Sequence, residues 1–337
     1  MGQDELEEVL RAAREEHERA REVLGNGLVE GMPPQGSPGP ALGGAPAPQL
    51  SELEAKLVWI FGSPRSGSSW MLRLLGSRNE IAGVNESYVP AHLVPIGGEV
   101  EAGEYFEHGE RAGDRSYFFA RDYMPVLRPL LHELILRGFA NQLQQMGHDP
   151  IPQWVAIKEP NGSHAADTIV SLMPRTRMLF LLRDGRDVVD SLVDAMLGSD
   201  SWWVERTRSL GRPPQERVAF ITQHSNLWVR RTMASQRAFE ALPEGQRLLV
   251  RYEEILADTP GQLRRIFDWL ALDVGERELA AIAERHAFSS APRDRRGPGK
   301  PMRAATPGLW RENLTEEEQQ TMQEIMGPKL RELGYEA

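Results

Sequence analysis

Two short stretches of this chain combine residues that bind anions, at spacings that would let them act together. The first reads Gly62-Ser63-Pro64-Arg65-Ser66-Gly67-Ser68-Ser69-Trp70 and lies between an apolar run at 57–61 and a helical pattern at 69–77. Gly67 can take backbone angles closed to other residues, so the loop can curl. A curl that opens a helix points free N–H groups and the positive end of the helix dipole at one spot, which suits a phosphate or sulfate. Ser68 and Ser69 add hydroxyl donors, and Arg65 brings a fixed cation with forked donors. The second stretch begins at Arg183, just after the apolar run 178–182, and continues Asp-Gly-Arg-Asp into a helical pattern that contains Ser191. An arginine at the carboxyl end of a parallel strand stands where open α/β sheets bind ligands. Taken alone, the second stretch also reads as a solvated charge cluster.

The first stretch has the glycine spacing of the nucleoside-triphosphate loop, G-x-x-x-x-G-K-[ST], at Gly62 and Gly67. Ser68 stands where that loop has its lysine, and the cation sits inside the curl at Arg65 instead. That departure weakens an ATPase or kinase reading.

The elements that must position these residues are legible as short buried runs alternating with longer helical patterns. LVWIF (57–61), WVAI (154–157), MLFLL (178–182) and RLLVRY (247–252) suit buried parallel strands. Helical patterns lie at 69–77, 125–146, 163–172, 186–197, 215–241 and 260–271. The alternation predicts an α/β fold, a central parallel β-sheet flanked by helices. Residues 1–25 read as an amphipathic helix with Leu6, Leu10, Ala13, Ala20 and Leu24 at helical spacing, and 26–50 as a Gly/Pro-rich linker. The main domain is expected over 51–337. Between Glu86 and Pro150 the pattern is irregular and aromatic, with Tyr88, Tyr105, Phe106, Tyr117, Phe118, Phe119 and Tyr123 as core or as a lid.

The composition narrows the function classes. The formal net charge of −10 argues against general affinity for nucleic acid or anionic membrane, so a bound anion needs a local basic patch. Cysteine is absent, which excludes disulfides, thiolate nucleophiles and thiolate metal sites. No run approaches the length of a membrane span, and the acidic N-terminus has no apolar signal region, so a cytoplasmic protein is expected. Oligomeric state stays open, a homodimer included.

Together, the segments GSPRSGSSW and LLRDGRDVVDS resemble those of the sulfotransferases that use 3′-phosphoadenosine 5′-phosphosulfate (PAPS), over roughly residues 56–337. The resemblance implies a fold like that of the P-loop NTPases, PAPS as co-substrate, no metal, and transfer of a sulfonate to a hydroxyl of a small molecule, glycan or natural product. It implies that Arg65, Ser66, Gly67, Ser68, Ser69 and Trp70 hold the 5′-phosphosulfate, that Arg183 and Ser191 hold the 3′-phosphate, and that Tyr252 lies near the adenine. WVAIKEP is similar to the family strand whose lysine, here Lys158, faces the sulfonate. RAATPGLW resembles the loop that closes on the 3′-phosphate, with Arg303 at the arginine position. Ala304 and Ala305 replace that loop's lysine and glycine, and Arg295, Arg296 and Lys300 are candidate substitutes.

Arg65 and Lys158 are suited to neutralise the leaving group. The small-molecule branch of the family has its catalytic histidine where this chain has Pro160. The branch with tyrosylprotein sulfotransferases has a loop arginine and a downstream glutamate, and Glu86 has similar spacing here. Glu86 is therefore the expected base, provided that burial raises its pKa. His92, His132 and His164 read first as surface or core histidines. The alternatives are a kinase-like phosphotransferase and a non-catalytic nucleotide-binding protein.

Overall fold

The structure is a computed structural model that describes residues 47–93, 121–198, 201 and 216–335. The expected helix at 1–25, most of the linker, and the aromatics from Tyr105 to Phe119 lie outside the described residues. The described chain starts in helix α1 (Ala47–Lys56), whose first residues belong to the stretch read as linker.

Five parallel strands form one sheet in the order β2-β3-β1-β4-β5. They are β1 (Leu57–Phe61), β2 (Ile81–Asn85), β3 (Trp154–Lys158), β4 (Arg177–Leu182) and β5 (Arg247–Arg251). β1 lies at the centre because both of its faces are apolar. Leu57, Trp59 and Phe61 point into one core and Val58 and Ile60 into the other, following the two-residue period of a strand. Trp59 stacks on Phe61 with centroids 5.5 Å apart. Four of the five strands coincide with the sequence reading to within a residue. β2 was not among the runs read, because IAGVN is an edge strand that carries a glycine and ends on an exposed asparagine.

Helices cover both faces. α2 (Ser68–Leu75) follows β1, while α3 (Met124–Gln145) and α4 (Ala166–Leu172) flank β3 in sequence. α5 (Gly185–Leu197) follows β4, and α6 (Arg217–Ala241) leads into β5. α7 (Tyr252–Ala257) starts directly after β5, so Tyr252 opens a helix and does not end the strand as the sequence pattern suggested. α8 (Thr259–Trp269), α9 (Glu276–Arg285) and α10 (Glu316–Glu332) complete the layers. α1, α3, α4, α5, α6 and α10 pack into one core; α2, α7, α8 and α9 pack into the other. No helix among the described residues is long and apolar enough to cross a membrane.

Candidate active site

Because the strands are parallel, all five carboxyl ends lie along one edge of the sheet. Read in spatial order, those ends carry Glu86 after β2, Lys158 on β3, the loop 62–67 after β1, Arg183 after β4 and Tyr252 after β5. Registers fix the row: Asn85 pairs with Lys158, Ile60 with Lys158, Phe61 with Phe180, and Leu182 with Arg251. In the sequence Glu86 follows the loop; in space it stands two strands away from it, beyond Lys158.

The loop is a curl, with Arg65 at φ +68° and Gly67 at φ +87°. A Cβ on Gly67 would lie 2.7 Å from a ring carbon of Tyr252, so glycine serves here both conformation and close approach. The backbone N–H groups of Gly67, Ser68 and Ser69 meet no acceptor among the described residues. They open α2 and are available to an anion.

Arg183 donates from Nη1 to the Arg65 carbonyl at 2.7 Å and lies over the Tyr252 ring, 4.3 Å from its centroid. Arg65 turns its guanidinium the same way. Its Nε donates to Ser191 Oγ at 3.0 Å and its Nη2 to the Pro301 carbonyl at 3.1 Å. Burial pushes the Arg65 pKa down to about 10, and the charges of Arg183 and Arg303 push in the same direction. Three guanidinium groups are thus crowded into a half-buried place, which favours an anion among them. They line a cleft of about 720 Å³ with Ser68, Ser69, Trp70 and Tyr252. Trp70 meets Tyr252 edge to face and is fixed by donating from Nε1 to the His286 carbonyl at 2.9 Å.

Arg303 reaches the cleft from the segment that follows α9. Its Nη2 donates to the buried Asp190 carboxylate, which also accepts from Asn313 Nδ2 at 3.1 Å. Burial opposes the Arg303 charge, but Asp190, Asp194 and Asp187 outweigh it and hold the pKa above its ordinary value. The three aspartates lie three and four residues apart along α5 and tie the same segment down. Asp194 accepts the Gly299 N–H and Asp187 the Gly308 N–H. Ala305, where the resemblance has a glycine, keeps a glycine-like φ of +53°. Of the candidate substitutes, Arg295 lines the cleft. Arg296 donates to the Phe288 carbonyl and lies over the Phe288 ring.

At the other end of the row the charges are paired. Lys158 Nζ lies 2.5 Å from Glu86 Oε1 and 3.1 Å from Ser69 Oγ. Glu86 Oε2 accepts from Asn161 Nδ2 at 3.0 Å and from the Tyr88 hydroxyl at 2.8 Å. Burial raises the Glu86 pKa, but Lys158, Tyr88 and Asn161 together outweigh it, so the carboxyl is held below the usual glutamate range. The sequence reading made the base role conditional on burial winning. Burial loses because β3 brings a lysine into contact with the carboxylate. Neither Glu86 nor Lys158 lines the cleft itself; they join it through Ser69 and Asn85, which do.

His132 and His164, singled out in the sequence, do not line the cleft, whereas His286 does. His132 Nε2 faces Glu54 at 3.1 Å, the His164 Nδ1 contacts the Asn161 carbonyl, and the His92 side chain is outside the described residues. Sequence reasoning missed the roles of the aspartates of α5 and of Glu159, which is buried beside Lys158. The spacing of Asp187, Asp190 and Asp194 on one helix face was the available signal.

Comparisons with known proteins bear on the fold and the family. The chain superposes on the crystal structure of sulfotransferase STF9 from Mycobacterium avium with a TM-score of 0.50 and 15% identity, over 86% of this chain and 80% of that one. It also matches mouse sulfotransferase SULT7A1 complexed with PAP, with a TM-score of 0.49 and 15% identity, over 84% and 88% of the two chains. No curated protein sequence aligns significantly with it. Residues 58–276, from β1 to the start of α9, match the sulfotransferase family. That span carries the loop, Lys158 and Arg183, and the chain belongs to the sulfotransferase family and is an enzyme of sulfonate transfer.

Proposed function

We propose that the sulfonate donor is PAPS and that the acceptor is a hydroxyl. The observation that carries this reading is the meeting of Arg65, Arg183, Ser191 and Arg303 beside the free N–H groups of the loop. Two anion-binding devices that touch, with Trp70 and Tyr252 lining the same cleft, fit an adenosine that bears a phosphate at each end. The loop N–H groups and Ser68 and Ser69 take the 5′-phosphosulfate. Arg183, Ser191 and Arg303 take the 3′-phosphate, and Trp70 with Tyr252 faces the base. Holding both ends fixes the sulfur relative to the acceptor.

In the transfer, the acceptor oxygen bonds to sulfur as the bond from sulfur to the bridging oxygen breaks, and its electron pair leaves with the 5′-phosphate of adenosine 3′,5′-bisphosphate (PAP). Lys158, two strands from Arg183 and bonded to Ser69, stabilises charge on the leaving side, with Arg65 contributing from the loop. Glu86 takes the acceptor proton; Lys158 holds it ionised but less basic than a free glutamate, so the role rests on its placement beside Lys158 and Ser69 and not on a raised pKa. The acceptor approaches from the β2 edge, because the nucleotide fills the β1–β5 side of the row. A small molecule, glycan or natural product is the class of acceptor we infer.

The test is incubation of purified protein with radiolabelled PAPS and a panel of phenols, alcohols and sugars. Acceptor-dependent release of PAP with label on the acceptor is expected. Absence of PAP release with every acceptor would reject the reading.

A further inference from the structure

Glu159 follows Lys158 at the tip of β3 and is 0% exposed, yet the transfer steps above do not use it. Its Oε1 accepts the Ser87 hydroxyl and, at 2.7 Å, the Tyr88 N–H. Its Oε2 is buried with no hydrogen-bond partner and packs close to Gly162. Burial pushes the Glu159 carboxyl up, and the charge of Glu86 adds to that, against the pull of Ser87 and Tyr88. A buried carboxyl that is only half satisfied is costly, so its place calls for a function.

The residues it grips supply one. Glu86 has φ +56° and Tyr88 φ +57°, both in the left-handed region that residues with a Cβ avoid. Such a turn persists only when its surroundings over-determine it. Ser87, between the two, is bonded to Glu159, and the Tyr88 amide is bonded to the same oxygen. The Tyr88 hydroxyl then returns to Glu86 Oε2. β3 therefore holds this turn twice, with Lys158 on the carboxylate and Glu159 on the backbone behind it.

We propose that Glu159 is the positioning residue of the reaction: by clamping Ser87 and the Tyr88 amide it imposes the left-handed turn that aims Glu86 at Lys158 and the acceptor. This rests on the reading of Glu86 as the base. Glu159 touches neither substrate and acts through Glu86 alone.

The experiment compares Glu159→Ala, Glu159→Gln and Ser87→Ala, each alone and combined with Glu86→Gln. PAP release from PAPS is followed with 2-naphthol, 4-nitrophenol and 1-hexanol as acceptor probes, and PAP affinity is measured by calorimetry. Glu159→Ala is expected to lower kcat about 10–100-fold with the PAP Kd within about threefold of wild type. In the Glu86→Gln background the same change should cost less than about twofold, because the two residues act as one unit. Glu159→Gln should recover most of the loss, since its amide oxygen can still accept both hydrogen bonds. The acid limb of kcat/KM should move up in Glu159→Ala as Glu86 leaves Lys158. Equal losses in both backgrounds, a parallel loss of PAP affinity, or an unchanged kcat would overturn the proposal. If Glu159→Ala does not fold, Ser87→Ala decides: a loss of about 3–10-fold that vanishes beside Glu86→Gln supports it, and wild-type turnover rejects it. Wild-type protein that binds no PAP and releases none from PAPS would instead reject the functional reading, and the proposal with it.

Discussion

The two ends of the strand-tip row treat charge in opposite ways. Between β1 and β5, Arg65, Arg183 and Arg303 crowd together, and Arg65 is pushed down to about 10 by burial and by its neighbours. Between β2 and β3, Lys158 and Glu86 neutralise each other at 2.5 Å. The crowded end is incomplete by itself, and a ligand with two phosphates relieves its like-charge repulsion. The paired end is complete, which keeps its carboxylate ionised without a ligand. On the proposed reading one end binds the nucleotide and the other carries the reaction, and substitutions should separate the two.

Glu86→Gln should have the largest effect, lowering kcat on the order of 10²–10⁴-fold with PAP affinity little changed. A matching loss of PAP affinity by calorimetry would show that the two ends are not separable. Lys158→Met should lower kcat on the order of 10²–10³-fold, as loss of a charge-stabilising donor does. It should also reverse the pH behaviour of Glu86. In the wild type Glu86 is held below the usual glutamate range, so the acid limb of kcat/KM should lie lower than an unpaired glutamate would place it. Its contribution to stability is present above the unfolded pKa and is lost as pH falls through the folded one. With Lys158 gone, burial is the largest influence left, and the limb should move up. A pH–rate profile of the variant checks the sign.

At the crowded end, Arg183→Ala should weaken PAP binding by roughly 10–150-fold, the range for hydrogen bonds to a charged group, while kcat at saturation changes little. Calorimetry and saturation kinetics on the same preparation separate these. Gly67→Ala should have the smallest effect, about 1–2 kcal/mol of stability with a comparable loss of PAP affinity. The cause is a Cβ forced to φ +87° and against the Tyr252 ring. Denaturant unfolding with and without PAP measures both.

At the crowded end Arg65 and Arg183 were legible in the sequence because each is announced locally, whereas Arg303 came only from the resemblance. A buried strand, a curl and a helix start announce Arg65, and a buried strand with an arginine at its tip announces Arg183. The paired end was legible only in part. Glu86 was found by its spacing, but β2, which carries it, was missed because an edge strand with Gly83 has no continuous apolar run. That strand brings Lys158 to Glu86 across 72 residues of sequence, so the direction of the Glu86 shift could not be read from either segment. Glu159 was hidden for the same reason: a charged residue after a lysine reads as solvated until Ser87 and Tyr88 arrive to bury it. α10 was also missed, although Thr315 and Glu318 form a capping box whose four-residue pattern marks a helix start.

The most direct test of the central claim is the thermal stability of the protein with PAP compared with Mg²⁺-ATP. A single nucleotide that bridges the loop and the strand tip at Arg183 should, at about 100 times its Kd, stabilise the fold by about 2.7 kcal/mol and raise Tm by several degrees. Mg²⁺-ATP, without a 3′-phosphate for Arg183, Ser191 and Arg303, should do much less. An unchanged Tm with PAP, or stabilisation by Mg²⁺-ATP alone, would contradict the account.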